Sequence, residues 1–294
     1  MYVITGATGN TGQHITRTLL SQGARVRVVG RDESRLNPLV ALGAEPFVGA
    51  VEDAKTMTRA FAGAKAVYTL VPPPYNAPQV RKTQNAVSYA YAEAITANQV
   101  RHVVNLSSAG AQLAQGFGPV NGMYDHEQRF NQLSDTHVLH LRPGFFMENQ
   151  FFNIALIKAQ SINGSPLRAE LAIPMIATQD IAAVAAQHLL ALDFSGKSTL
   201  ELLGQRDISM QEATRILGAA IGKPDLPYVQ FGYEDARAAM VGMGLSADMA
   251  DAFVELYRHI NDHGYPHLEA RSAKNTTPTR FEDFAKGFAV VYGT

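Results

Sequence analysis

The sequence contains no cysteine among its 294 residues. Disulfide bonds, thiolate zinc sites, iron–sulfur clusters and cysteine nucleophiles are therefore excluded, and redox chemistry would require a borrowed cofactor. The chain also lacks an excess of either charge, since 25 lysines and arginines stand against 26 aspartates and glutamates. This balance gives no attraction for a phosphate polymer or an anionic membrane surface, so we expect neither a nucleic-acid nor a membrane partner.

Long apolar runs are missing as well. No stretch approaches the roughly 18 uninterrupted apolar residues of a membrane-spanning helix. Met1 leads directly into a strand pattern without a basic or cleavable leader. We therefore expect a soluble protein of the cytoplasm, whose length suits one large or two cooperating domains.

The first half of the chain alternates short β-branched runs with segments of helical periodicity. This order is typical of βαβ units and predicts an α/β fold, with a doubly wound parallel sheet of the Rossmann kind. The predicted strands are residues 2–5, 25–29, 45–48, 66–71, 102–106 and 138–141.

After residue 142 the pattern changes to a turn-rich connection, a helix at 180–192, a strand at 198–203 and then mostly helices. Capping boxes at Ser209 with Glu212 and at Thr279 with Glu282 mark two helix starts. We predict a dinucleotide-binding domain over 1–150, to which 176–204 return. A smaller, mostly helical substrate-side region covers 151–175 and 205–294. The most loop-like stretches, 112–122 and 263–278, are candidate flaps.

A glycine-rich loop separates the first predicted strand from the first predicted helix. Glycines there allow a tight turn, close approach of a diphosphate and close helix packing, while the helix N-terminus presents free N–H groups. The alternative is a purely structural turn. We predict that the dinucleotide is held by Gly6, Thr8, Gly9, Asn10, Thr11 and Gly12.

Arg31 follows Gly30 at the tip of the second strand, where a side chain meets the adenosine ribose in a doubly wound fold. A guanidinium pairs bidentately with a 2′-phosphate, so Arg31 predicts NADP(H) in preference to NAD(H), with Arg35 as a possible helper. Asp32 supports the opposite assignment, because a carboxylate accepts from both ribose hydroxyls of NAD. A solvated surface charge is the remaining alternative for Arg31.

At this point the chain resembles the NmrA-like branch of the atypical short-chain dehydrogenase/reductases over nearly its whole length. The resemblance is carried by the glycine loop 5–12, the tip 30–32, and the segments Val71-Pro72-Pro73, Arg142-Pro143-Gly144-Phe145-Phe146-Met147-Glu148-Asn149, 202–209 and 218–224. It implies a cofactor cleft with two further groups of contacts. Val71, Pro72 and Pro73 would lie beside the nicotinamide-side ribose, and Phe145, Phe146, Glu148 and Asn149 would line the nicotinamide end.

Two positions depart from the family pattern. Gly49-Ala50 replaces the Gly-Asp that often follows the third strand, and no lysine precedes the sixth strand, where the chain has His126, Gln128 and Arg129. These departures put the adenine and ribose contacts of those positions in doubt.

The usual catalytic pair of short-chain dehydrogenases is a tyrosine four residues before a lysine, whose charge lowers the phenol pKa. Here Tyr124 is followed at that spacing by Gln128. A neutral amide cannot stabilise a phenolate, which disfavours alcohol oxidation and a sugar-nucleotide epimerase. Tyr124 is nevertheless retained as a catalytic candidate.

Two other side chains are candidates for catalysis. Ser107 ends the fifth strand, where a serine serves active relatives, although capping of strand-end amides explains it equally well. His126 could protonate a reduced acceptor, but a solvated helix start is the stronger interpretation. His259 and His263 share a helix face without the glutamate of a zincin site, so we expect no metal.

Two functions stay open. The first is an NADPH-dependent reductase that transfers hydride to a flat, apolar, electron-poor acceptor such as a quinone, an azo compound or an imine, where positioning matters more than a strong acid. The second is a catalytically silent, NADP(H)-binding redox sensor that signals to a protein partner. Either protein could be a monomer or a homodimer.

Overall fold

The computed structural model describes residues 1–294 as twelve strands and eleven α-helices. The strands are β1 Tyr2–Ile4, β2 Val26–Gly30, β3 Glu45–Val48, β4 Ala66–Leu70, β5 His102–Leu106, β6 His137–Pro143, β7 Phe145–Phe146, β8 Asn163–Ser165, β9 Ala172–Ile176, β10 Lys197–Leu202, β11 Asp207–Ser209 and β12 Tyr228–Gln230. The helices are α1 Asn10–Ser21, α2 Glu33–Val40, α3 Ala54–Ala60, α4 Val80–Ala97, α5 Asn121–Asn131, α6 Ile154–Gln160, α7 Thr178–Ala191, α8 Met210–Ala220, α9 Tyr233–Gly242, α10 Ala247–His263 and α11 Phe281–Gly293. Two 3₁₀ segments occupy Gly118–Val120 and Met147–Asn153.

Seven strands form one parallel sheet in the order β3-β2-β1-β4-β5-β6-β10. The direction of winding reverses between β1 and β4, which makes the sheet doubly wound and confirms the predicted fold class. Six of its strands lie where the sequence predicts them, with ends that differ by up to two residues. The seventh, β10, pairs in parallel with β6 and returns to the sheet after the turn-rich connection.

Apolar side chains cover both faces of this sheet. On one face α1, α2 and α7 bury a cluster that includes Ile15, Leu36 and Ile181. On the other face α3, α4 and α5 bury Met57 and Tyr91 with their neighbours. Because all seven strands are parallel, their carboxyl ends meet at one edge. Doubly wound folds hold their ligand crevice at this edge, where the winding reverses, here between β1 and β4.

A third apolar cluster lies beneath α8, α10 and α11, together with the small sheets β11-β9-β7 and β12-β8. Ser209 caps α8 as predicted, because its Oγ accepts the N–H of Glu212 at 3.1 Å. The second predicted capping box is wrong. The hydroxyl of Thr279 donates to Asp180 at 2.6 Å, and α11 begins after Arg280 without a side-chain cap.

The two predicted flaps differ in structure. Residues 112–122 include a 3₁₀ turn and the start of α5. Residues 264–280 contain no helix, yet polar contacts tie them to the end of β10. The buried carboxylate of Glu201 accepts the N–H groups of Leu268 and Glu269 at 2.8–3.0 Å, and Arg271 donates to the carbonyl oxygens of Leu203 and Gly204.

The exposed edge strand β3 carries Pro46, and Gly49 immediately after it donates its N–H to Gly30 of β2 at 2.9 Å. No helix of the chain is long and apolar enough to span a membrane.

Candidate active site

The glycine loop turns sharply between β1 and α1, at the point where the sheet reverses its winding. Gly6 has a φ of +59°, and a Cβ at this position would lie 2.5 Å from a methyl carbon of Leu70. A Cβ on Gly12 would lie 2.3 Å from the carbonyl oxygen of Gly6. Neither position can accept a side chain, since real Cβ atoms do not approach so closely. Glycine at both positions therefore lets the turn pack tightly against α1 and the end of β4.

Free hydrogen-bond donors surround that turn. α1 follows Gly9 without a side-chain cap and without an acidic residue in its first turn. The N–H groups of Asn10, Thr11 and Gly12 have no acceptor in the protein. Thr8 is half-buried, Gly9 and Asn10 are exposed, and the Thr11 hydroxyl accepts from Tyr68 at 2.9 Å. An uncapped helix N-terminus behind a bare glycine turn fits the diphosphate of a dinucleotide.

Arg31 and Asp32 behave differently at the tip of β2. The Asp32 carboxylate is engaged as the cap of α2, because it accepts the N–H of Ser34 at 2.9 Å and the hydroxyl of Ser34 at 2.7 Å. Those hydrogen bonds hold the pKa of Asp32 below its usual value. Arg31 is exposed and takes part in none of the protein's ion pairs. Arg31 thus has no partner in the protein, whereas Asp32 uses one carboxylate oxygen, Oδ1, to cap α2.

The loop after β4 forms the adjoining part of the crevice. Val71 is buried, Pro72 is half-buried and Pro73 is exposed. The loop is fastened to α10, whose Ser246 donates its N–H to the carbonyl oxygen of Tyr75 at 2.9 Å. The smaller helical region therefore holds this side of the crevice in place.

Ser107, at the end of β5, belongs to a buried charged group that sequence reasoning did not identify. Its Oγ donates to Glu127 of α5 at 2.5 Å. Arg142, near the end of β6, donates to both oxygens of that carboxylate at 2.9 and 2.5 Å. Burial alone raises the pKa of Glu127, but the hydrogen bonds and charge of Arg142 outweigh it and leave the pKa below its usual value. Glu127 is therefore an anion that accepts hydrogen bonds only.

His126 is fully buried behind this group. Its Nε2–H donates to the side-chain oxygen of Asn105 at 2.9 Å, and its Nδ1 accepts from Ser88 at 2.7 Å. Burial lowers the pKa of His126 well below the ordinary value, with the charges of His140 and Arg129 adding to the effect. An enclosed, neutral imidazole cannot reach a bound acceptor, so we do not retain His126 as a proton donor.

Tyr124 lies half-buried on α5, one residue before Asp125, and its hydroxyl makes no hydrogen bond within the protein. Gln128, one helical turn further on, is exposed. Tyr124 thus remains a candidate, with the exposed Gln128 at the position where the usual pair has a lysine.

The segment after β6 divides between the two sides of the sheet edge. Phe145 packs toward the third apolar cluster, and Phe146 packs toward the cluster beneath α1 and α7. Asn149 is half-buried. Glu148 is engaged elsewhere, because its carboxylate accepts the N–H of Thr178 at 2.9 Å and its hydroxyl at 2.6 Å, at the start of α7. Glu148 therefore orders the segment through α7, and its half-buried carboxylate keeps further lone pairs for another donor.

Two aromatic side chains that sequence reasoning did not identify lie close together where the loop after β4 meets α10. Tyr75, on the loop after β4, is 39% exposed. Tyr257 of α10 is half-buried, stacks with Phe253 at 6.2 Å and packs against the same cluster as Phe145. Burial raises the pKa of Tyr257 to about 12, and Tyr75 adds to the effect, so the phenol stays neutral. The four-residue spacing of Phe253 and Tyr257 on α10 is the sequence signal that could have identified Tyr257.

Known proteins resemble this arrangement over its whole length. The profile of the NAD(P)H-binding family matches residues 6–191. The NAD(P)H azoreductase of Xenophilus azovorans is 28% identical over 295 residues, covering 100% of this chain and 99% of the relative.

Solved structures agree in fold. The NADPH-dependent quinone oxidoreductase QOR2 of Escherichia coli, solved with NADPH, superposes with a TM-score of 0.82 at 19% identity over 98% of this chain and 99% of that one. The triphenylmethane reductase of Citrobacter sp. with NADP(H) gives 0.80 at 18% identity over 98% and 100%. The chain therefore belongs to the NAD(P)H-binding family, as an NmrA-like member of the atypical short-chain dehydrogenase/reductases.

Proposed function

We propose that the protein is an NADPH-dependent reductase of flat, apolar, electron-poor acceptors such as quinones, azo compounds or imines. The observation that carries the proposal is the make-up of the crevice. One end presents unpaired N–H groups and a free arginine, and the other end presents aromatic walls without a Tyr–Lys pair. Its similarity to an NAD(P)H azoreductase, and its shared fold with quinone and triphenylmethane reductases, are consistent with the proposal.

The nucleotide end supplies binding and orientation. The N–H groups of Asn10, Thr11 and Gly12 would hold the diphosphate at the start of α1. Arg31 would pair with a 2′-phosphate, which only NADP(H) carries. When bound, NADPH supplies the hydride, and a proton from water completes the reduction of the acceptor.

The acceptor end excludes water and positions a flat ring. Phe145 and Tyr257 pack against the third apolar cluster, and the exposed Tyr75 lies near Tyr257, so these three rings would give the crevice apolar walls. Rings that stack on such walls gain about 0.5–1.5 kcal/mol per favourable pair beyond their buried area. An acceptor that is already electron-poor needs this positioning more than it needs an acid.

The test is nicotinamide absorbance in the presence of NADPH, or NADH in parallel, with a panel of quinones, azo dyes and imines. We expect sustained consumption of NADPH with at least one acceptor class. No turnover with any class would contradict the reductase proposal.

The cofactor preference is tested on the same assay and by binding. Arg31→Ala should weaken NADPH by about tenfold or more, the scale of one charge-assisted hydrogen bond, and should leave NADH nearly unchanged. Arg17→Ala, an exposed arginine on the outer part of α1, is the matched control. Equal weakening of both cofactors would contradict the NADP assignment.

A second candidate is a catalytically silent redox sensor, and one observation favours it. None of the three catalytic candidates is a ready acid: Tyr124 lacks a lysine, His126 is enclosed, and Ser107 gives its hydrogen to Glu127. A sensor would bind NADPH and NADP with different affinities and consume neither. The same assay, combined with binding titrations, separates the two functions.

A further inference from the structure

Ser107 has one hydrogen to donate, and the protein uses it. The hydroxyl donates to Oε1 of Glu127 at 2.5 Å, and no other group of the protein donates to the Ser107 oxygen. Arg142 holds the carboxylate in place through two parallel hydrogen bonds. Glu127 is 2% exposed and the Arg142 side chain is 9% exposed, so solvent does not compete for these contacts.

The polarity of this arrangement follows from its charges. A carboxylate paired with a guanidinium has no hydrogen to give, so the Ser107 hydrogen must point toward Glu127. The oxygen keeps its lone pairs for a second partner. The main chain of Ser107 is fixed as well, because its N–H donates to Leu141 of β6 at 2.8 Å.

Ser107 lies at the carboxyl end of β5, the edge of the sheet at which ligands bind in doubly wound folds. We infer that Ser107 is a hydrogen-bond acceptor for an N–H or O–H group of the molecules bound at this edge, and that Glu127 and Arg142 are positioning residues that fix this polarity. The serine therefore selects ligands that carry a donor, and it does not itself donate to a carbonyl oxygen.

Two bound molecules could supply such a donor. The carboxamide of a nicotinamide has an NH₂ group, and an acceptor can carry an amino or hydroxyl substituent. The inference deepens the proposed function, but its first readout is binding and requires no turnover. Absence of reductase activity would therefore leave it fully testable.

The cofactor arm compares NADP with its acetylpyridine analogue, in which a methyl group replaces the carboxamide NH₂. Calorimetric titration of the wild type and Ser107→Ala gives four dissociation constants. If the carboxamide is the donor, the substitution weakens NADP about fivefold, the scale of one net hydrogen bond, and leaves the analogue unchanged.

The acceptor arm uses an aminoazobenzene and its N,N-dimethyl counterpart, titrated into the protein saturated with NADP. If the reducible substrate supplies the hydrogen-bond donor, Ser107→Ala weakens binding of the amino compound only, again by about fivefold. Selective weakening in either arm supports the inference and names the source. Unchanged ratios in both arms, or greater weakening of the ligand without a donor, would overturn it.

Two further variants separate positioning from loss of structure. Glu127→Gln removes the charge that holds the serine hydrogen. The ratio of dissociation constants for the ligand without a donor and the ligand with one should therefore fall toward one, while thermal melting still reports a folded protein. Ser108→Ala is the matched control, since that hydroxyl donates only to the adjacent carbonyl oxygen of Ala109 at 2.9 Å. A full preference in Glu127→Gln would show that Glu127 does not set the polarity.

Discussion

The two ends of the crevice satisfy their polar groups in opposite ways. At the nucleotide end, three helix N–H groups and Arg31 have no partner in the protein. At the acceptor end, Ser107, Glu127 and Arg142 satisfy one another, and His126 is enclosed by hydrogen bonds. One end is thus prepared to receive charge, whereas the other is already neutralised and rigid.

This difference separates the source of ligand affinity from the source of ligand selectivity. Unpaired donors at the nucleotide end gain a partner only when an anionic ligand binds, so they favour binding. A satisfied polar group lined by aromatic walls contributes little attraction, but it penalises a ligand that leaves a polar atom without a partner. Under the proposed function, the acceptor end would therefore discriminate by shape and by hydrogen-bond polarity.

Removal of the buried Glu127 carboxylate should destabilise the acceptor end more than any other change considered below. Glu127→Ala should lower the free energy of unfolding by about 3–5 kcal/mol, because it leaves the Arg142 charge buried without a partner. Urea denaturation followed by circular dichroism measures the change. The double variant Glu127→Leu with Arg142→Met should be less destabilised than Glu127→Ala, since no lone charge remains. A double variant at least as unstable as the single one would contradict this account of the pair.

Acidification should lower the stability of the folded protein through two buried histidines, His126 and His140. Asn105 donates its amide N–H to Nδ1 of His140 at 3.0 Å and accepts from His126, so both rings are neutral in the folded protein. Burial lowers the pKa of His140 to about 4 and lowers that of His126 as well. The unfolded chain takes up protons below about pH 6.5, whereas the folded protein resists until its lowered pKa is reached. Stability should therefore be complete above about pH 6.5 and fall toward pH 4, by on the order of 3 kcal/mol for His140 alone.

Denaturation curves at several pH values measure this slope. His140→Gln should flatten the slope between about pH 6.5 and 4, whereas substitution of the exposed His14 by Gln should leave it unchanged. Equal slopes in the wild type and His140→Gln would contradict the assignment of that histidine.

A smaller effect on stability is expected at the nucleotide end. The added Cβ in Gly12→Ala would crowd the Gly6 carbonyl oxygen at 2.3 Å, so the variant should lose about 1–3 kcal/mol of stability and most of its affinity for NADPH. Gly287→Ala is the control, because a Cβ there meets nothing within 4 Å on helix α11. It should be neutral or slightly stabilising. Normal NADPH binding by Gly12→Ala would mean that the loop has room the structure does not show.

The sequence predicts the strand, glycine loop and helix of the nucleotide end because they form one contiguous segment. A strand, three glycines and a helix start lie within residues 2–21, and local geometry fixes how they meet. The alternation of strands and helices likewise predicts the sheet, since each βαβ unit is local. Arg31 needs only its position after β2 to be noticed.

The acceptor end could not be predicted in the same way. Glu127 and Arg142 lie on different elements, and only the pairing of β5 with β6 brings Ser107 beside them. Glu148 bonds the start of α7 across 30 residues, a contact that no local pattern indicates. Thr279 bonds Asp180 across 99 residues, although its spacing to Glu282 fits a capping box, so there a long-range hydrogen bond outweighed the local motif.

The proline in β3 has a consequence for how the protein behaves at high concentration. The Gly49 N–H points toward β2, and backbone N–H groups alternate in direction along a strand. The backbone nitrogen of residue 46 therefore faces away from the sheet, where most residues would offer an N–H to another chain. Pro46 has no such hydrogen, so a strand from a second molecule finds one fewer rung on which to add. The short, exposed edge of the sheet is in this way protected against open-ended growth into aggregates.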